Sequence, residues 1–283
     1  METKVRTAFS PVEATLYETL AGRALDSVAR RPILGDPTAL ETVRKIDFDF
    51  RRLRVGTSVV VQVATRARHL DAAVRDFVTT RPDAVVVDLG AGLDARIFRV
   101  LPPASVAWFD VDLPAVAEAR ERLLPGHPQA RAVGGSLTDP AWLEEVPGDR
   151  PAMLVADGLL PFLAQDEIET LFRRLTGHFG RGELAFNGYH PSLVGLARWS
   201  PSTRGIAALT RSAPFADPHE PEHWDPRLRL VEETSLAHVP EVALFPPVLR
   251  AATRLAGRSA VLSRSARILR YRFPASRPGS RTP

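Results

Sequence analysis

A chain of 283 residues, 45% apolar and 25% charged, has the composition of an ordinary globular protein and room for a sizeable core. It contains no cysteine, which excludes disulfides, thiolate metal sites and a cysteine nucleophile. The formal charge of +4 argues against nucleic acid as a partner because it is scattered: even the arginine-dense stretch 249–273 spaces arginine among Ala, Leu and Val, as the wet side of an amphipathic element does.

The first 80 residues read as helical. TLYETLAGRALDSVAR (15–30) carries apolar residues at helical spacing, and SVVVQVATRARHLDAAVRDFVTT (58–80) does so again after the LRVGTS break. The N-terminus lacks the long apolar core of a signal peptide, and no 18-residue apolar run occurs anywhere. A cytoplasmic protein with no membrane association is expected.

The period then changes. Short runs rich in Val, Ala and Phe appear at AVVVD (84–88), VAWFD (106–110), ARAVG (130–134), AMLVAD (152–157) and ELAFN (183–187). Helical segments such as LPAVAEARERLL and QDEIETLFRRLTGHF separate them, so right-handed crossovers and a mostly parallel sheet are expected. From Gly188 to Pro226 the pattern lapses into a Pro-, His-, Trp- and Ser-rich stretch, too long for a simple connection and placed to cover a ligand crevice. LRLVEETS, a helix and ARILRYRF close the chain, with SRPGSRTP (276–283) as a frayed tail. The expected organisation is one domain: a helical cap at 1–80, a cofactor-binding core at 81–187, a lid or acceptor insertion at 188–226, and closing strands at 227–275.

In a doubly wound sheet the ligand sits beyond the carboxyl ends of the strands, against the first βα turn. Here that turn is VVVDLGAGLDAR (85–96), with Asp88, Gly90 and Gly92. The run from Gly90 to Ala95, with Asp110 or Asp112 about twenty residues on, also satisfies the relaxed dinucleotide fingerprint, so NAD and S-adenosylmethionine (SAM) both remain open on spacing alone. Charge favours SAM. A pyrophosphate wants a helix N-terminus free of acids, whereas Asp88 and Asp94 fence these glycines. Arg66 can meet the single carboxylate of SAM, and Asp112 in WFDVDLP can accept both ribose hydroxyls. The alternative is that Asp94 caps the next helix and Arg66 pairs with a surface acid.

The order TLYETLAGRAL, PILGDPTALETVRKIDFDF, ATRARHLD, VVVDLGAGLDARIFRV, WFDVDLPAV, SLTDPAW and VADGLLPFL resembles the leucine carboxyl methyltransferase superfamily, in particular its bacterial O-methyltransferases of polyketide and related natural-product pathways. The resemblance runs from about residue 12 to about 190, and ILRYRF fits as well. It implies a Rossmann-like class I methyltransferase fold: α/β, a mostly parallel seven-stranded sheet, a helical N-terminal cap and a lid insertion. Carried over by motif, the arginine holding the methionine carboxylate is Arg66, the first glycine of L-G-A-G is Gly90, and the ribose acid is Asp112. The adenine-side pair falls on Ser136 and Leu137, and the acid of E-G-L-L on Asp157. Ser136 stands where the family has an acid, Asp157 is one methylene shorter than the usual glutamate, and Pro161 and Phe162 replace Met and Tyr.

The resemblance implies a SAM-dependent O-methyltransferase acting on a carboxylate or phenol of a polyketide-type small molecule. Two alternatives stand beside it: a methyltransferase-like scaffold without methyl transfer, kept open by Ser136 and Asp157, and an NAD(P)-dependent oxidoreductase. A carboxylate nucleophile needs no general base, whereas a phenol does. His190 in NGYHPS is the expected base because it follows a strand; His219 and His223 are weaker candidates, with Tyr189, Trp199 and Trp224 as wall residues. HEPEH (219–223) spells the zinc-protease string, but Pro218, Pro221 and Pro226 oppose the continuous helix that chemistry needs. No metal is expected.

Overall fold

The computed structural model describes residues 4–7, 9–191, 204–212 and 215–274. Two sequence expectations, Trp199 as a wall residue and the tail at 276–283, lie outside the described residues.

Three helices come first: α1 (Leu16–Ser27), α2 (Pro37–Lys45) and α3 (Thr57–Thr80). α2 starts where Asp36 accepts from the Ala39 N–H and proline occupies the first turn, a local start signal carried entirely by D-P-T-A. Alternating strands and helices follow: β1 (Val85–Leu89), α4 (Ile97–Val100), β2 (Ala107–Asp112), α5 (Pro114–Leu123), β3 (Ala130–Gly134), β4 (Ala152–Ala156), α6 (Gln165–Phe179) and β5 (Gly182–Tyr189). The described part of the insertion contains α7 (Arg204–Leu209) and α8 (Glu220–Trp224). β6 (Arg229–Ser235), α9 (Pro247–Ala256) and β7 (Ala266–Phe273) complete the chain.

The strands form one seven-stranded sheet in the order β3-β2-β1-β4-β5-β7-β6, as expected mostly parallel, with β7 antiparallel to both its neighbours. β1 is buried along its whole length, and its alternation assigns each side chain to a face. Val85, Val87 and Leu89 join Phe109, Leu154, Phe172 and Phe186 in a core on one face. Val86 joins Trp108, Met153, Phe77 and Ile268 in a second core on the other, beneath α3. A third cluster packs Leu16, Tyr17 and Leu20 of α1 against Ile46, Leu93, Val116 and Leu123, which seats the cap directly on the glycine loop. The chain leaves β1 toward β2 on one side and β4 on the other, so a crevice opens between their carboxyl ends. No helix among the described residues is long and apolar enough to cross a membrane.

Candidate active site

A cavity of about 890 Å³ opens at that crevice. Its wall includes Arg66 from α3, Asp88 from β1, Gly90 and Gly92 from the loop after it, and Asp112 from the end of β2. Ser136 and Leu137 follow β3, and Asp157 follows β4. The cofactor-side residues named from the sequence therefore converge on one space.

The glycine loop turns because Gly90 and Gly92 adopt φ values of 64° and 52°, where a side chain is strained. A Cβ on Gly90 would also come within 2.8 Å of Leu159 Cδ1. Four of the loop's N–H groups, including those of both glycines, are spent internally. Gly90 and Ala91 donate to the Val111 carbonyl, Asp94 donates to the Ala91 carbonyl, and Gly92 donates to Asp112 Oδ2 at 2.7 Å. A pyrophosphate would need several of those groups turned outward at a helix N-terminus. This loop withholds them, and α4 begins only at Ile97. The glycines therefore offer a pyrophosphate no N–H of their own, which disfavours a dinucleotide.

Charge at this loop is not arranged as the sequence suggests. Asp88 and Asp94 border the cavity, but both are already paired with buried arginines. Arg96 Nε donates to Asp88 Oδ2 at 2.8 Å, and its two Nη atoms reach Asp71 at 2.5 Å and Asp94 at 3.2 Å. Arg99 bonds Asp36, Asp71 and Asp94, while Arg23 from α1 donates to the Leu93 carbonyl and faces Asp36 and Asp94. Asp94 accordingly does not cap α4, whose start has no side-chain cap. Burial raises Asp88 to about 7 against the pull of Arg96, with Asp94 and Asp110 adding to the rise. Burial works against Asp94 too, yet Arg23, Arg99 and Arg96 hold its carboxyl well below the usual carboxylate range.

Arg66 is buried, and its partner is not a surface acid. Its Nε lies 2.6 Å from Asp157 Oδ1, and its Nη1 donates to Tyr189 Oη at 2.7 Å. Gly158, at φ 75°, allows this approach, since a Cβ there would stand 3.0 Å from Arg66 Nη2. Asp112 accepts from Gly92 through Oδ2 and from Leu113 through Oδ1, both at 2.7 Å, which leaves one lone-pair direction on each oxygen. Burial raises its pKa, and the two backbone donors offset part of that rise. Ser136 Oγ pairs with Thr138 Oγ1 at 2.8 Å, so two hydroxyls stand together at the far end.

The other candidates separate. His190 is not in the cavity wall; its backbone N–H donates to the Ser265 carbonyl at 3.0 Å. Tyr189, one residue earlier, is in the wall. Trp224 is packed in the core against Phe172 and Phe215 rather than lining the site. His219 precedes the five-residue helix α8 and His223 lies within it; neither reaches the cavity. Glu18 of α1, absent from the sequence candidates, is in the wall. Burial raises its pKa, and no hydrogen bond or ion pair among the described residues engages it. Phe162, Leu163, Phe245 and Leu249 give the remaining wall an apolar character.

The family model for leucine carboxyl methyltransferase matches residues 17–176, more than half of the chain. The tetracenomycin polyketide synthesis O-methyltransferase TcmP of Streptomyces glaucescens is 41% identical over 84% of this chain and 87% of its own. The S-adenosyl-L-methionine-dependent methyltransferase dpfgK of Gibberella zeae is 32% identical over 65% of this chain and 68% of its own. Among solved structures, mycolic acid cyclopropane synthase CmaA1 with bound SAH shares the fold at a TM-score of 0.51, 14% identity, and coverage of 95% of this chain and 98% of that one. This chain belongs to the leucine carboxyl methyltransferase family and is a SAM-dependent methyltransferase.

Proposed function

We propose that the enzyme methylates the carboxylate of a polyketide-type aromatic acid. The observation that carries this reading is one cavity whose wall holds Arg66 and Asp112 together with the apolar Phe162, Leu163, Phe245 and Leu249. A volume of about 890 Å³ lies in the range of ligand sites and accommodates a cofactor with a flat apolar acceptor beside it. The similarity to TcmP supports a polyketide acceptor.

SAM, when bound, supplies a methyl carbon made electrophilic by its sulfonium. The chain's own residues bind and orient. Arg66 meets the methionine carboxylate, and Asp157 beside it faces the ammonium. Asp112 takes the ribose hydroxyls with its two remaining lone-pair directions. Gly90 and Gly92 would let the loop approach the cofactor closely, and Leu137 with the Ser136–Thr138 hydroxyl pair would receive the adenine. Asp88 works from behind by fixing Arg96. Alignment of an oxygen nucleophile with the methyl group can contribute roughly 7–11 kcal/mol without any proton transfer. A carboxylate nucleophile suits a site in which no histidine among the described residues lines the cavity.

One observation favours a second reading. Glu18 is half-buried and unpartnered among the described residues, with a pKa raised by burial. It is placed to act as base for a phenol. Incubation with SAM and 3-hydroxy-2-naphthoic acid, which offers both nucleophiles, separates the two by mass spectrometry. A methyl ester supports carboxylate transfer. A methyl ether that disappears in Glu18→Gln supports the phenol.

A further inference from the structure

We propose that the Tyr189 hydroxyl is the hydrogen-bond donor that holds the acceptor's carboxylate, a specificity-determining contact that rests on the carboxylate reading above. β5 runs on to Tyr189, which pairs in register with Ala266 of β7, and both residues line the cavity. Arginine has donors only, so the 2.7 Å contact makes the phenol oxygen the acceptor from Arg66 Nη1. The phenol's own O–H must then be turned toward something else. No second partner for that hydroxyl occurs among the described residues.

The phenol is also held in place from behind. Arg66 is pinned by Asp157 at 2.6 Å, and Gly158 beneath it donates to Asn187 Oδ1 at 2.6 Å. A guanidinium donating into the phenol oxygen polarises the O–H and strengthens it as a donor to an anion. Tyr189 thus presents a fixed, charge-assisted donor in the same cavity as the apolar wall, and an aromatic carboxylate fits it with one oxygen while the other remains to react.

In the transfer, the reacting carboxylate oxygen forms a bond to the methyl carbon as the carbon–sulfur bond breaks. The electron pair of that bond stays on sulfur, and no proton moves. The carboxylate's charge falls as the ester forms, so a hydrogen bond to the second oxygen is stronger before transfer than during it. Tyr189 therefore governs acceptor binding more than the rate of the chemical step.

The test is calorimetric titration of wild type and Tyr189→Phe, each saturated with S-adenosylhomocysteine, with 3-hydroxy-2-naphthoate and separately with its methyl ester. Loss of one hydrogen bond to a charged group should weaken the acid by about tenfold or more. The ester should change little, and affinity for S-adenosylhomocysteine should stay within about twofold. A parallel loss of S-adenosylhomocysteine affinity would mean that the phenol only braces Arg66, and it overturns the proposal. Unchanged affinity for the acid, or no binding of the acid to wild type, overturns it as well. A wild type that makes only the methyl ether sinks the carboxylate reading independently of this variant.

Discussion

Asp112→Ala removes the residue on which the cofactor assignment turns most directly. Asp112 Oδ1 and Oδ2 each accept one backbone N–H, from Leu113 and Gly92, and each keeps one lone-pair direction for a ribose hydroxyl. Hydrogen bonds to a charged group contribute about 1.5–3 kcal/mol each, so losing two costs about 3–6 kcal/mol of binding. That corresponds to roughly a hundred- to ten-thousandfold weaker S-adenosylhomocysteine. The same change leaves the Gly92 and Leu113 N–H groups without their acceptor, about 1–3 kcal/mol each where water does not replace it, so the melting temperature falls too. Asp112→Asn grades the effect: an amide has a single oxygen, cannot serve both backbone donors, and should show an intermediate loss. Calorimetry reads the affinity, and circular dichroism confirms the fold. An alanine variant that is folded and binds S-adenosylhomocysteine within a few-fold of wild type would refute the placement of the ribose.

Arg66→Met should weaken S-adenosylhomocysteine strongly while sparing 5′-methylthioadenosine, which lacks the amino-acid carboxylate; equal losses would make Arg66 purely structural. Arg96→Met strips the guanidinium from the buried carboxylate of Asp88, while Asp71 keeps Arg99, and breaking a buried pair costs about 3–5 kcal/mol, or roughly 10 °C in Tm. A shift of only a degree or two would show that water replaces the guanidinium. Asp88 sits at about 7 when folded, above its unfolded value near 3.9. Its contribution to stability is therefore complete below about pH 3.9 and is lost as pH rises through about 7. Thermal melts between about pH 4 and about pH 7 should show wild type losing stability with rising pH and Asp88→Asn losing less of it; identical slopes would assign the titration to another group.

The sheet was legible because its central strands β1, β4 and β5 are buried on both faces, so Val- and Ala-rich runs stand out against the helical period. That the cofactor-side residues line one cavity was legible because D-L-G-A-G and D-V-D-L-P lie at strand ends, where chain direction alone brings them together. The failures have physical causes. His190 was favoured on the assumption that the strand stops at Asn187, yet the β5–β7 ladder continues to Tyr189 and decides which side chain enters the cavity. The long pairing partner that extends the strand has no local signature in N-G-Y-H. The pairing of Asp88 and Asp94 with arginines was equally hidden. Those arginines are shared with Asp36 and Asp71, which lie 63 and 28 residues from Arg99, and no spacing rule reveals a network of that reach. Glu18 looked like one more polar residue of an amphipathic helix, because exposure to a cavity and exposure to solvent leave the same pattern.

The ion pairs behind the glycine loop also determine which parts of this enzyme can be exchanged. Arg23 comes from α1, Asp36 from the start of α2 and Asp71 from α3, while Asp94, Arg96 and Arg99 belong to the loop and α4. Cap and cofactor loop are thus one heritable unit: grafting a foreign cap would strand charges on both sides of the junction. The wall segments at 160–163 and along α9 take no part in those pairs. Diversification of acceptor range, whether by evolution or by recombination at the bench, has its freest ground there.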